Sequence, residues 1–280
     1  MTTFHTFHRI VLPAQINARG LLDFLTLIGQ PIQEDCVTLD FSKLQRIYPA
    51  GITALVAVIK HWERQGRNVL CEGLEQCSIT AYLQRLNVLA ECGIKLPESF
   101  RRFDSKARFV PVQEIGIDVT ALGNKMALCV APGGDDIDQP LSGVYDLVWY
   151  VVTEMANNVR QHSGGTGYAS GQVNRAEGFV RLALADNGKG ILRSFQEVQL
   201  PWSHNMTDAA AIRKAIEPRV SSKGSPTNEG VGLTLVTEMT RQAKSWLLIV
   251  SGRGVLTIGS TGNIESRELD AGWSVIQGPW

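Results

Sequence analysis

Between residues 179 and 185 the chain alternates with period two. Val180, Leu182 and Leu184 fall on one side, Phe179, Arg181 and Ala183 on the other, and the alternation stops at Asp186-Asn187-Gly188-Lys189-Gly190-Ile191. A half-buried strand has that period, and here it ends in a carboxylate followed by two glycines. A carboxylate at a strand end accepts a hydrogen bond from an exocyclic amine, and glycine lets the backbone approach a flat base without a Cβ in the way. The same string also suits a plain turn, so its meaning depends on what else the chain brings near it.

Two other segments bear on that question. Over residues 145–162, Val148, Val151, Val152, Met155 and Val159 make the apolar stripe of a helix. Glu154, Asn158 and His162 recur every four residues, a drift of about 40° per step, so an acid, an amide and an imidazole share one face. Further on, Asn228-Glu229-Gly230-Val231-Gly232-Leu233 leads into a helix-like run over 234–243. Glycines entering a helix offer free backbone amides and the positive end of the helix dipole, which suits a triphosphate. There is no G-x-x-x-x-G-K-[ST] phosphate loop and no G-x-G-x-x-G dinucleotide fingerprint.

In order and spacing, "VTEMANNVRQHS", "ADNGKGI" and "NEGVGLTLV" resemble the N box and the two glycine boxes of the gyrase, chaperone, histidine-kinase and mismatch-repair (GHKL) ATPases. The Glu-x-x-x-Asn form with a terminal His is most similar to anti-sigma-factor serine kinases and sensor kinases. The resemblance implies a Bergerat α/β sandwich over 105–280, with helices on one face of a mixed sheet, and ATP and Mg²⁺ as ligands. It makes Glu154 the catalytic base and Asn158 the Mg²⁺ ligand. Asp186 becomes the adenine reader, with Gly188 and Gly190 beside it. Gly230, Gly232 and Leu233 form the phosphate turn, and Lys223 is the cation for the γ-phosphate. His162 either touches a phosphate or caps its helix. The stretch 191–229, with Pro201, Pro218, Gly224 and Pro226, would be a mobile lid. A hairpin is expected over 245–258 and a last strand over 271–277.

The first hundred residues alternate short apolar runs with amphipathic helices: strands near 8–12, 36–41 and 69–71, and helices near 18–28, after Gly51 and over 79–89. After Gly51, Ile52, Leu55, Val56, Ile59 and Trp62 form one stripe to pack on a sheet. An α/β layer domain over 1–98 is expected, and the shift in composition over 96–110 reads as its boundary. "VTLDFSKL", "YPAGITAL" and "GRNVLCEG" resemble a STAS domain, the fold of anti-sigma-factor antagonists, which implies a protein partner. Phosphorylated members carry Asp-Ser-Ser-Gly where this chain has Tyr48-Pro49-Ala50-Gly51, so the acceptor hydroxyl is missing. Thr53 and Ser42 are the nearest alternatives.

Composition bounds the remaining choices. The chain has 280 residues, with 27 basic and 27 acidic side chains, so no bulk field draws it onto nucleic acid or anionic lipid. No apolar run approaches the roughly 18 residues that cross a bilayer. The five cysteines, Cys36, Cys71, Cys77, Cys92 and Cys129, include no CxxC pair. Reduced thiols in a cytoplasmic protein are expected. None of His5, His8, His61 or His204 has the setting of a histidine-kinase phosphoacceptor. Three readings remain: an ATP-dependent switch with weak ATPase activity, a protein serine kinase acting on a separate STAS protein, and a nucleotide-binding module without turnover. The oligomeric state stays open, a dimer included.

Overall fold

The computed structural model describes residues 7–102, 108–136, 142–218, 220 and 232–270. The N-terminal part is built on strands β1 (Phe7–Val11), β3 (Cys36–Asp40) and β5 (Asn68–Glu72), parallel in the order β1-β3-β5. Two short strands, β2 (Gln15–Ile16) and β4 (Arg46–Ile47), pair beside it. Strand β3, Cys-Val-Thr-Leu-Asp, is buried at every residue, as a central parallel strand must be when both faces are covered. Helices α1 (Leu21–Ile28), α2 (Pro49–Arg64), α3 (Thr80–Arg85) and α4 (Val88–Glu91) complete this part. The helix expected over 79–89 is divided because Asn87 takes a left-handed conformation, φ 60°, which an α-helix does not continue through.

Asp40 ends β3, and its carboxylate accepts from Ser42 N–H at 2.9 Å and from Arg9 Nη2 at 2.8 Å. Ser42 first and then Arg9 hold its pKa down at about 2. Its folded value lies below the unfolded one, so the stabilisation is present above pH ~4 and lost as pH falls toward the folded value. Asp40→Asn should therefore lower the melting temperature clearly at pH 7 and by less and less toward pH 3. Melts across that range that stay parallel would contradict this account of the β3 end.

In the C-terminal part β6 (Phe109–Glu114), β7 (Gly167–Asn174) and β8 (Phe179–Asp186) form an antiparallel sheet. Helix α5 (Val119–Val130) is capped by Asp118, which accepts from Ala121 N–H at 2.9 Å. It packs on α6 (Ser142–Asn158) around Met126, Val148, Val152 and Ala156. A π-helical turn, Val159–Ser163, extends α6 and closes at Gly164. Helices α7 (Ile191–Glu197), α8 (Asp208–Ala215) and α9 (Gly232–Gln242) precede a second antiparallel sheet. Its strands are β9 (Leu247–Ser251), β10 (Gly254–Ile258) and β11 (Ile264–Glu268). The expected hairpin is β9-β10, whereas 271–277 lies outside the described residues.

The chain is a mixed α+β protein with several small sheets and, among the described residues, no barrel. It departs from the expected single mixed sheet in two ways. First, among the described residues β6-β7-β8 and β9-β10-β11 are separate, and each is antiparallel. Second, the β6-β7-β8 sheet is covered on both faces. Leu182 and Leu184 pack into the α5–α6 cluster, while their neighbour Ala185 packs into the N-terminal core, which also takes in Val112, Tyr168, Val255 and Leu269. Successive strand residues point to opposite faces, so the second face is the one that α2 covers.

Helix α2 is accordingly buried on both sides. Ile52, Leu55, Val56, Ile59 and Trp62, none more than 1% exposed, point into the N-terminal core. Ala50, Ala54, Ala57 and His61 occupy the opposite stripe, and the three alanines let the helix come close to the sheet. Other links join the two parts: Val112 N–H donates to the Leu86 carbonyl at 2.9 Å, and the Arg181 guanidinium lies 3.9 Å from the centre of the Tyr48 ring. Among the described residues no helix is long and apolar enough to cross a membrane. All five cysteines are free, and burial pushes Cys71 and Cys129 up to about 11, so neither is a ready thiolate.

Candidate functional site

A cavity of about 590 Å³ opens between α6, the end of β8, the start of α9, strand β9 and the N-terminal helices α1 and α2. Glu154, Asn158 and His162 all line it. The first two project from the regular part of α6. His162 stands in the wider π-helical turn, so the shared face read from a four-residue repeat is carried on by a different helix geometry. Burial pushes the Glu154 carboxyl above its ordinary value, and the Tyr150 hydroxyl is raised by burial and by Glu154 beside it. A base with an elevated pKa is better matched to taking a proton near neutral pH.

Asp186 is the last residue of β8 and also lines the cavity. Its Oδ1 accepts from Gly188 N–H at 2.9 Å. Burial raises its pKa, and the Gly188 N–H opposes that shift. The turn is fixed by its neighbours. Asn187, 4% exposed, accepts from Thr166 N–H at 2.8 Å through Oδ1 and donates through Nδ2 to the Ala57 carbonyl at 3.4 Å. The Asn187 carbonyl accepts from Arg64 Nη2 at 3.2 Å.

The two glycines of this turn have different reasons to be glycine. A Cβ on Gly188 would run into the Ser163 backbone, and Lys189 N–H donates to the Ser163 carbonyl at 2.8 Å. Gly188 therefore seats the turn on the π-helical segment and does not itself line the cavity. Gly190 does line it, with a φ of 78° that favours glycine. Ile191, just after it, donates its N–H to Ser251 Oγ at 2.8 Å.

Gly232 opens α9 against the Glu154 carboxylate, which a Cβ there would push aside, and Leu233 lines the cavity beside it. Lys223 and Gly230 lie outside the described residues. Of the stretch expected to be a lid, α7 and α8 are instead packed structure. Ile212, fully buried on α8, joins Ile249, Leu256 and Ile258 in a third core, with Ile191 of α7 against it. Asp208 Oδ2 accepts from Arg253 N–H at 2.9 Å and ties α8 to the β9-β10 turn. An apolar core does not lift away as a lid does, so α7 and α8 are not a mobile cover.

No family model, curated protein or solved structure matches this chain. What the cavity binds must therefore be argued from its own groups.

Among the described residues, no group of three or more His, Cys, Asp or Glu side chains could hold a metal alone, and no Lys or Arg lines the cavity. A polyanion here would need a divalent cation, the amides at the start of α9, or both. Mg²⁺ suits such a place, because it keeps several waters and needs only one or two protein oxygens beside those of a phosphate. Asn158 offers such an oxygen from the cavity wall. The cavity also has a side that local sequence patterns did not expose: Leu21, Leu25, Ala50, Ala54 and His61 belong to the N-terminal helices. The readable signal was α2 itself, whose "PAGITALVAVIKHW" is apolar all round, the mark of a helix buried on both faces.

Proposed function

We propose that this protein binds Mg-ATP in the cavity and acts as an ATP-dependent regulatory switch with slow hydrolysis. One observation carries the reading. Glu154, Asn158, Asp186 and Gly232, picked out in three separated stretches of sequence for three different chemical reasons, line one cavity. Each has a role there. Asp186 accepts from the adenine amine. Asn158 and the phosphates hold Mg²⁺, which neutralises charge on the triphosphate and polarises its γ-phosphorus when bound. The amides at the start of α9 face the phosphate chain. Glu154 takes the proton of an attacking water.

The switch reading, with the chain belonging to the GHKL ATPases and carrying a STAS-like N-terminal domain, draws on the same cavity. Helices α1 and α2 wall it, so nucleotide and the N-terminal part share a boundary. A protein partner of the STAS-like domain would sense nucleotide state through that wall. A second reading, a serine kinase whose own N-terminal part is a dead pseudosubstrate, is favoured by the position of Ala50. It stands where a STAS-type acceptor serine would be and lines the cavity that holds Glu154. The Thr53 hydroxyl is no substitute: it is fully buried and donates to the Pro49 carbonyl at 3.1 Å.

Incubating the purified chain with γ-labelled Mg-ATP separates the readings. Released phosphate without protein label supports the switch, and label transferred to an added STAS protein supports the kinase. Binding with neither would reject turnover altogether.

A further inference from the structure

Two strand edges border one opening. Among the described residues β8 pairs with β7 alone and β9 with β10 alone. In an antiparallel pair alternate residues bond their neighbour, and the others turn N–H and C=O to the open side. Among the described residues no backbone hydrogen bond outside the two ladders satisfies those groups along 180–185 or 247–251. Leu184, Ala185 and Asp186 of β8 line the same cavity as Leu248, Ile249, Val250 and Ser251 of β9. Both sheets also turn a face to the N-terminal core, through Ala185 on β8 and Val250 on β9. Leu248 is 38% exposed, and β9 reads Leu-Leu-Ile-Val-Ser, without a charge or a proline. Proteins pair, cover or charge such an edge, because left open it recruits foreign strands.

We propose that β8 and β9 border a slot for one added strand, and that residues 271–277 of this chain occupy it and link the two sheets. The proposal holds whatever the cavity binds. Three observations choose that occupant. First, the described chain ends at the slot. Leu269 N–H donates to the Arg253 carbonyl at 2.7 Å, and the Leu269 carbonyl accepts from Arg253 Nη2 at 3.0 Å. Arg253 follows Gly252, which lines the cavity, so the chain passes residue 270 beside one end of β9. Second, the reach suffices: at 3.3 Å per residue, 271–277 extends over about 23 Å and β9 over about 17 Å. Third, the side chains fit. A strand beside β8, with α2 over one face and the α5–α6 cluster over the other, needs apolar groups on both faces. In an extended Ala-Gly-Trp-Ser-Val-Ile-Gln, Trp273 and Val275 supply one face and Ile276 the other. The other long stretch outside the described residues, 221–231, carries Lys223, Pro226 and Glu229 and suits no central strand.

The test is nuclear magnetic resonance on the full-length chain without ligand. Backbone NOEs should join residues 273–276 to β8 on one side and to β9 on the other. Amides of 273–276 should exchange about 10²-fold or more slowly than in a free peptide of that sequence, because a paired central strand opens only with its sheet. Val275→Pro removes a ladder donor, so it should lower the melting temperature and speed exchange at the β9 amides that do not bond β10. Val275→Thr, still a strand former, should leave both near wild type. The wild-type contacts decide the matter even where Val275→Pro does not fold. Exchange over 273–276 as fast as in the free peptide overturns the proposal, and so does protection of the segment with NOEs to any other surface. In a mixture of isotope-labelled and unlabelled chains, NOEs from 273–276 of one chain to β8 or β9 of another would give the slot to a second copy and overturn it as well.

Discussion

Glu154→Ala is expected to slow phosphate release from Mg-ATP by about 10²- to 10⁴-fold, the contribution of a positioned general base, while ATP still binds. The carboxylate is half-buried against the glycine that opens α9, and burial raises its pKa. It therefore stands where a phosphate chain would meet the helix start, with a basicity suited to accepting a proton from water. Its removal takes a negative charge away from beside a polyanion, so affinity should hold or tighten slightly. Steady-state phosphate release and calorimetry on the same preparation separate the two effects. A variant that turns over as fast as wild type would remove Glu154 from the mechanism.

Asp186→Asn should act on affinity instead of rate, and in opposite directions on the loaded and empty protein. The Gly188 N–H occupies Oδ1 at 2.9 Å, and an asparagine oxygen can keep that bond. What the variant presents to adenine is an NH₂ group facing another NH₂ group. ATP should weaken by about 1 to 3 kcal/mol, roughly 5- to 150-fold, because a buried donor is left without an acceptor. Mg-triphosphate should bind as before. In the ligand-free chain the sign reverses. Burial raises the folded pKa of Asp186 above its unfolded value, so its stability term is complete at low pH and is lost as pH rises through the folded pKa. The asparagine avoids that loss, so the empty variant should melt above wild type at pH 7, and the gap should close below pH ~4. Equal weakening of ATP and triphosphate would mean that Asp186 does not read the base.

Much of the site was legible because each piece was local. The apolar stripe of α6 fixes which face carries Glu154 and Asn158, and period two carried β8 to Asp186. The π-helical turn that brings Ser163 against the Gly188 turn was not legible, since a widened turn depends on what packs on it and not on its own residues. Reading α2 by one stripe found its own core and overlooked the alanine face that meets the second sheet. Helix α8 was hidden by a resemblance that made its stretch a lid. Yet Thr207, whose hydroxyl accepts from Ala210 N–H at 3.2 Å, followed by Asp-Ala-Ala-Ala-Ile-Arg-Lys, carries an ordinary capped-helix signal. That β8 and β9 belong to separate sheets among the described residues is a matter of long-range pairing, which alternation within each strand does not encode.

Titrating Mg-ATP into the full-length protein in a calorimeter tests the central claim most directly. A saturable heat with one nucleotide per chain, accompanied by a rise in melting temperature, is the predicted result. No heat and no thermal shift, from a sample shown to be folded, would contradict the assignment of this cavity to a nucleotide.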